Sequence, residues 1–145
     1  MAETKTQLVQ RFIFSINEDI KHYKQLLHLL QDQSVLYLKF DGEALSENIH
    51  QQLPILKQLG RSAAERSRCL QQLHLPSSEQ GVEKLIRALP DKHKTPLKMQ
   101  WKSLETLIKH CQKYNNQNGQ SSAAFHELLG QLTQEPQHAY GENQF

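Results

Sequence analysis

Residues 97–132 read LKMQWKSLETLIKHCQKYNNQNGQSSAAFHELLGQL. Taken at alternating three- and four-residue steps they give Leu97, Trp101, Leu104, Ile108, Cys111, Asn115, Asn118, Ser122, Phe125, Leu129 and Leu132. This is one heptad seam with an apolar block at each end and a polar middle. Two independent short helices would have no reason to share a phase, so the spacing predicts a single long helix, ~50 Å at 1.5 Å per residue. Its weak stretch is 113–122, KYNNQNGQSS. Asn, Gly and Ser are poor helix formers, and Gly119 costs ~1 kcal/mol relative to Ala. Such a helix must be held there by neighbours or completed by a partner. The competing reading is two helices with Asn118-Gly119 as a stop.

The same periodicity governs the rest of the chain. A first helix is predicted over about 8–39, with seam Val9, Ile13, Ile16, Ile20, Tyr23, Leu27, Leu30, Ser34 and Tyr37. Phe12, Leu26 and Leu29 widen the stripe beyond a narrow coiled-coil seam. Asp41-Gly42 then marks a turn in which Asp41 can cap a second helix. That helix has the seam Leu45, Ile49, Gln52, Leu56, Leu59, Ala63, Arg66, Leu70 and Leu73, with Pro54 expected to kink or restart it. Arg66 is expected to lay its stem on the seam and send its head to water. Ser78 is placed to cap a short helix carrying Val82, Leu85, Ile86 and Leu89, closed by Pro90. Thr95-Pro96 reads as the start of the long helix.

The expected fold is therefore all-α: an elongated antiparallel helical hairpin or bundle of three long helices plus a short connecting helix, with coiled-coil-like packing. A chain of 145 residues fits one domain spanning 1–145. Flexible ends are expected at about 1–7 and 134–145, and Tyr140 stands out as an aromatic in an otherwise polar tail.

Composition narrows the function classes. The net charge is +2 with both signs interspersed, so no basic stripe points to nucleic acid. Lys98, Lys102, Lys109 and Lys113 read as a solvated helix face interrupted by Glu105. Cys69 and Cys111 are far apart and lack CxxC spacing, which suits two buried thiols in reducing surroundings. No signal peptide or membrane span is evident, so a cytoplasmic protein without membrane insertion is expected. There is no P-loop, GxGxxG, HExxH or nucleophile elbow. None of the eight histidines forms a pair at metal-binding helical spacing. Neither an enzyme nor a cofactor is expected. One motif keeps a chemical reading open: 124–130, AFHELLG, is faintly like a histidine-phosphotransfer signature with His126 as acceptor, although Leu129 stands where that signature has lysine.

The C-terminal third carries a resemblance. Trp101, Leu104, Leu107, Cys111, Asn115, Asn118 and Gly119 read W-x₂-L-x₂-L-x₃-C-x₃-N-x₂-N-G, and Tyr140-Gly141 follows. This pattern resembles the FlgN family of flagellar export chaperones, as does the order of helices and the Leu89-Pro90 step. The chain departs from the family pattern at Gln120, Ser121 and Ser122. The resemblance implies a cytoplasmic helical chaperone that binds the C-terminal segment of hook-associated (hook-filament junction) proteins and brings them to the flagellar export-gate protein. It implies a client-binding face at Leu104, Ile108, Cys111, Asn115, Asn118, Ser122, Phe125, Leu129 and Leu132, and gate docking through Tyr140 and Gly141. A generic helical adaptor is the alternative.

Overall fold

Thr4 sets the first helix boundary. Its side chain accepts from the Gln7 amide while the Gln7 side chain accepts from the Thr4 amide, a reciprocal capping box. The first helix, α1, therefore starts at Lys5, three residues ahead of the sequence expectation, and runs to Lys39. Phe40 ends it in a left-handed conformation (φ 53°). Asp41 caps α2 (Gly42–Gln72) by accepting from the Ala44 amide at 3.1 Å. This computed structural model describes residues 3–133, with side chains for 3–123.

The second helix runs through Pro54 without a restart. The short helix α3 (Glu79–Ala88) follows, and the long helix α4 spans Asp91–Thr133. Its start corrects the sequence reading: the Pro90 carbonyl accepts from the His93 and Lys94 amides, so the helix begins before Thr95-Pro96. Pro96 then sits inside the second turn of the helix, where its missing N–H leaves the Lys92 carbonyl without its intrahelical donor. The length of α4 is ~65 Å, and it is continuous across Asn118-Gly119. The expectation of one all-α fold with three long helices and a short connector holds, and no strand occurs among the described residues.

The three long helices run up, down and up. Phe12 stacks on Trp101 near one end of α1 (centroids 6.4 Å apart). The Cys111 thiol donates to the Tyr23 carbonyl midway at 3.7 Å, and Asn118 donates to the Leu30 carbonyl further on at 2.9 Å. These contacts fix α1 and α4 as parallel. The Asp19–Arg66 and Gln33–Gln52 contacts fix α1 and α2 as antiparallel. Helix α1 packs along both neighbours, whereas α2 and α4 scarcely meet. A helix with two partners needs a wide buried stripe, which is why Leu8, Phe12 and Leu26 are buried alongside the narrow seam.

The core changes character along the bundle. At the proximal end Leu8, Phe12, Ile16, Leu70, Val82, Leu85, Ile86, Leu97 and Leu104 form one apolar cluster. Midway, Leu26, Leu30, Leu59 and Cys111 form a second. Beyond them the three helices meet through buried amides. Gln52 donates to Gln33 and to Asn48, each at 2.8 Å. Asn48 in turn donates to the Leu29 carbonyl at 2.9 Å, and Gln33 to the Tyr37 hydroxyl at 3.1 Å. Each amide has partners, as burial requires.

The connector between α2 and α3 explains one glycine. A Cβ on Gly81 would lie 1.8 Å from the Pro76 carbonyl oxygen, so only glycine lets α3 tuck under the 74–78 loop.

Candidate partner-binding surface

Helix α4 carries most of the residues expected to bind a partner, and the fold sorts them into three groups. Leu104, Cys111, Asn115, Asn118 and Ser122 are buried. This face of α4 meets α1: Cys111 bonds Tyr23, and Asn118 bonds Leu30, Gln33 and Ser34. Their seam is occupied by the chain's own first helix. Ile108 is only half-buried, and with Trp101 it lines a trough between α4 and α2. Phe125, Leu129 and Leu132 lie within α4, but their side chains fall outside those described, as does that of His126. Tyr140 and Gly141 lie outside the described residues.

The register of α1 against α4 decides what the third group can do. Ser34 donates to Asn118 Oδ1 at 2.6 Å, so the end of α1 at Lys39 is level with about residue 123 of α4. Helix α4 continues to Thr133, overhanging the hairpin tip by ~15 Å. By sequence register, Phe125, Leu129 and Leu132 continue the seam that α1 covers lower down. The tip itself is apolar and exposed: Val35, Leu38 (82% exposed) and Phe40. The α1 seam read from the sequence runs through Ser34 and Tyr37 and passes this patch by. The positions of Val35 and Leu38 past Leu30 and beside the polar layer were the available signal.

Arg66 is a correction. Its guanidinium does not reach for water. It donates to Asp19 Oδ2 at 2.5 Å and to Ser62 Oγ at 3.1 Å, and the Asp19 side chain is 1% exposed. Asp19 lies on another helix, 47 residues away in the chain, so spacing could not reveal it. The lysines expected to form a solvated face, Lys98, Lys102, Lys109 and Lys113, are all exposed.

Titration behaviour follows burial. Desolvation pushes the Cys111 thiol up to about 11 and raises that of Cys69. Tyr23 is raised by burial and then by the Asp19 carboxylate. Glu105 is raised by burial and then by the neighbouring Glu79 carboxyl. Both cysteines are free. No group of three potential ligands for a metal occurs among the described residues, and none of their helices is long and apolar enough to cross a membrane. The arrangement is suited to binding: helix faces, an overhang and a trough.

A solved structure from Pseudomonas aeruginosa, described as a flagella synthesis protein FlgN, is similar at 24% identity over 84% of this chain and 90% of that one, with a TM-score of 0.70. At that identity the likeness speaks for the fold alone. No curated protein matches the sequence. The model of the FlgN family, described as FlgN protein, matches residues 1–144. With that match spanning nearly its whole length, the chain belongs to the FlgN family.

Proposed function

We propose that this protein is a cytoplasmic flagellar export chaperone that binds the C-terminal segment of hook-associated proteins and brings them to the export-gate protein. Family membership supports the flagellar chaperone role. The observation that carries the client-binding part is the overhang of α4 beyond the end of α1. There the seam runs on through Phe125, Leu129 and Leu132 while its covering helix has stopped. A disordered client segment that folds onto this stretch would take the place α1 holds lower down, as in helix-in-groove recognition. Val35, Leu38 and Phe40 are exposed at the end of α1, level with the start of the overhang.

Leu104, Ile108, Cys111, Asn115, Asn118 and Ser122 serve this reading by holding α4 in place on α1, and they offer contacts to a client that displaces part of that packing. Tyr140 and Gly141 are assigned to gate docking. Ordering a disordered client costs free energy, which moderates affinity and permits release. The action is stoichiometric binding, without turnover and without a cofactor.

The test is direct binding of purified hook-associated proteins to wild-type protein and to Leu129→Glu and Tyr140→Ala. Leu129→Glu abolishes client binding; Tyr140→Ala leaves it intact and weakens gate docking. Client binding that survives Leu129→Glu in a folded protein removes the overhang from the client face. A wild-type protein that binds other helical segments but no hook-associated protein is a helical adaptor instead.

A further inference from the structure

Helices α1 and α4 run parallel at a fixed offset: Cys111 bonds Tyr23 and Asn118 bonds Leu30, each pair 88 residues apart. Heptad rows on one flank of the pair therefore stay level. Ile20 and Leu27 of α1 stand within one residue of level with Leu107 and Tyr114 of α4, and all four are half-buried. Ser34, next in the α1 row, bonds Asn118, which fixes that row on the α4 side. Ile20 and Leu107 line a groove of about 740 Å³ on the flank away from α2. Met99 stands at its proximal end, 66% exposed. From Met99 to Tyr114 the flank is ~22 Å long.

The charge on this groove has one sign. Lys24 and Lys102 line it, and no acidic residue does. Among the described residues neither lysine is ion-paired. The carboxylates nearest in sequence are engaged elsewhere. Glu18 pairs with Lys21 at 3.0 Å, and Asp19 pairs with Arg66. The charges acting on Glu105 are those of Glu79, Lys109 and Glu83, on the opposite flank of α4. An exposed thioether beside half-buried aliphatic rows suits an apolar stripe, and two lysines on the rims suit carboxylates flanking it.

We propose that this groove docks one acidic amphipathic helix of a client, its apolar stripe on Met99 and Leu107 and its carboxylates on Lys24 and Lys102. The inference rests on the chaperone reading in taking the helix from a secreted client. It adds a second contact, ~39 Å along α4 from Phe125. Two contacts on one client raise its overall affinity through effective concentration.

The chain has two methionines, Met1 and Met99, so methyl-labelled methionine gives an NMR signal from the groove that Met99→Leu assigns. Two probes are titrated against the full chain, by calorimetry and by this signal. The first is a synthetic amphipathic peptide of ~15 residues, matched to the groove length, with a leucine stripe flanked by glutamates. Its twin carries lysines in place of the glutamates. The acidic peptide is expected to bind and move the Met99 signal, and the basic twin is not. The double variant Lys24→Glu, Lys102→Glu, at two exposed positions, weakens the acidic peptide roughly tenfold at unchanged helicity and admits the basic twin. The second probe is a set of peptides tiling the C-terminal regions of hook-associated proteins from the same genome. One with an apolar stripe and acidic flanks is expected to move Met99 in the same way. Equal effects of the two synthetic peptides, or none from either, overturn the groove. A Met99 signal that moves with the concentration of the chain alone shows a second copy seated there and also overturns it. Tiling peptides that bind, leave Met99 unmoved and are lost in Phe125→Glu overturn the groove and leave the chaperone reading standing. Failure of every tiling peptide and of the intact hook-associated proteins to bind the folded chain overturns both.

Discussion

Asn118 of α4 donates from Nδ2 to the backbone carbonyl of Leu30 in α1 at 2.9 Å, and the same side chain accepts from the Ser34 hydroxyl at 2.6 Å. This pair of bonds holds α4 in one piece across the stretch where its own sequence is least helical. Asn118 is 2% exposed, so its partners cannot turn to water when it is removed. Asn118→Ala is expected to cost about 1–3 kcal/mol in urea unfolding. Its neighbour behaves oppositely. Gly119 has nothing within 4 Å of where a Cβ would be, so Gly119→Ala is expected to stabilise by about 0.5–1 kcal/mol. A loss of stability in Gly119→Ala would mean that the helix bends there.

The buried ion pair should be unforgiving. Arg66 is 12% exposed and its partner Asp19 nearly fully buried; Asp19 Oδ1 has no further partner among the described residues. Arg66→Met strands a buried carboxylate and is expected to cost about 3–5 kcal/mol. The double variant Asp19→Leu with Arg66→Met removes both charges and should recover most of that loss. If the double variant is as unstable as the single one, the pair contributes net stability and does not merely neutralise itself.

Cys111 reports on α4 from within. Its folded-state value of about 11 lies above the ordinary 9.0, so the fold favours the neutral thiol. The stability linked to it is fully present below pH 9 and is lost as pH rises through about 11. At pH 8 alkylation of Cys111, located by peptide mass spectrometry, should therefore proceed only through opening of α4 from α1. Asn118→Ala is expected to speed that reaction, whereas Cys69, packed in the proximal core, should change less. Equal acceleration at both thiols would show that the bundle opens as one unit.

The fold was legible in the sequence because apolar periodicity survives over whole helices. The seam from Leu97 to Ser122 predicted both the continuity of α4 and the face it buries. Boundaries were less legible where capping competes: the Thr4–Gln7 box moved the start of α1, and Pro90 displaced Thr95-Pro96 as the start of α4. The polar interior was hidden for another reason. Gln33, Asn48 and Asp19 are buried because α1 is covered on two sides, and one-dimensional spacing does not say how many partners a helix has. The same blindness made Arg66 look solvated. For the partner surface, the seam residues were identified but not their occupant. That Leu104 to Ser122 is covered by α1, while Phe125 to Leu132 runs past its end, follows from the parallel register of two helices far apart in the chain.

The central claim is that the α4 overhang receives a hook-associated client. Its most direct measurement is calorimetric titration of a purified hook-associated protein into the full chain, beside Phe125→Glu with helicity verified. The account predicts one-to-one binding by the wild-type chain and its loss in Phe125→Glu. Undiminished binding by Phe125→Glu, or no binding by a folded wild-type chain, would contradict it.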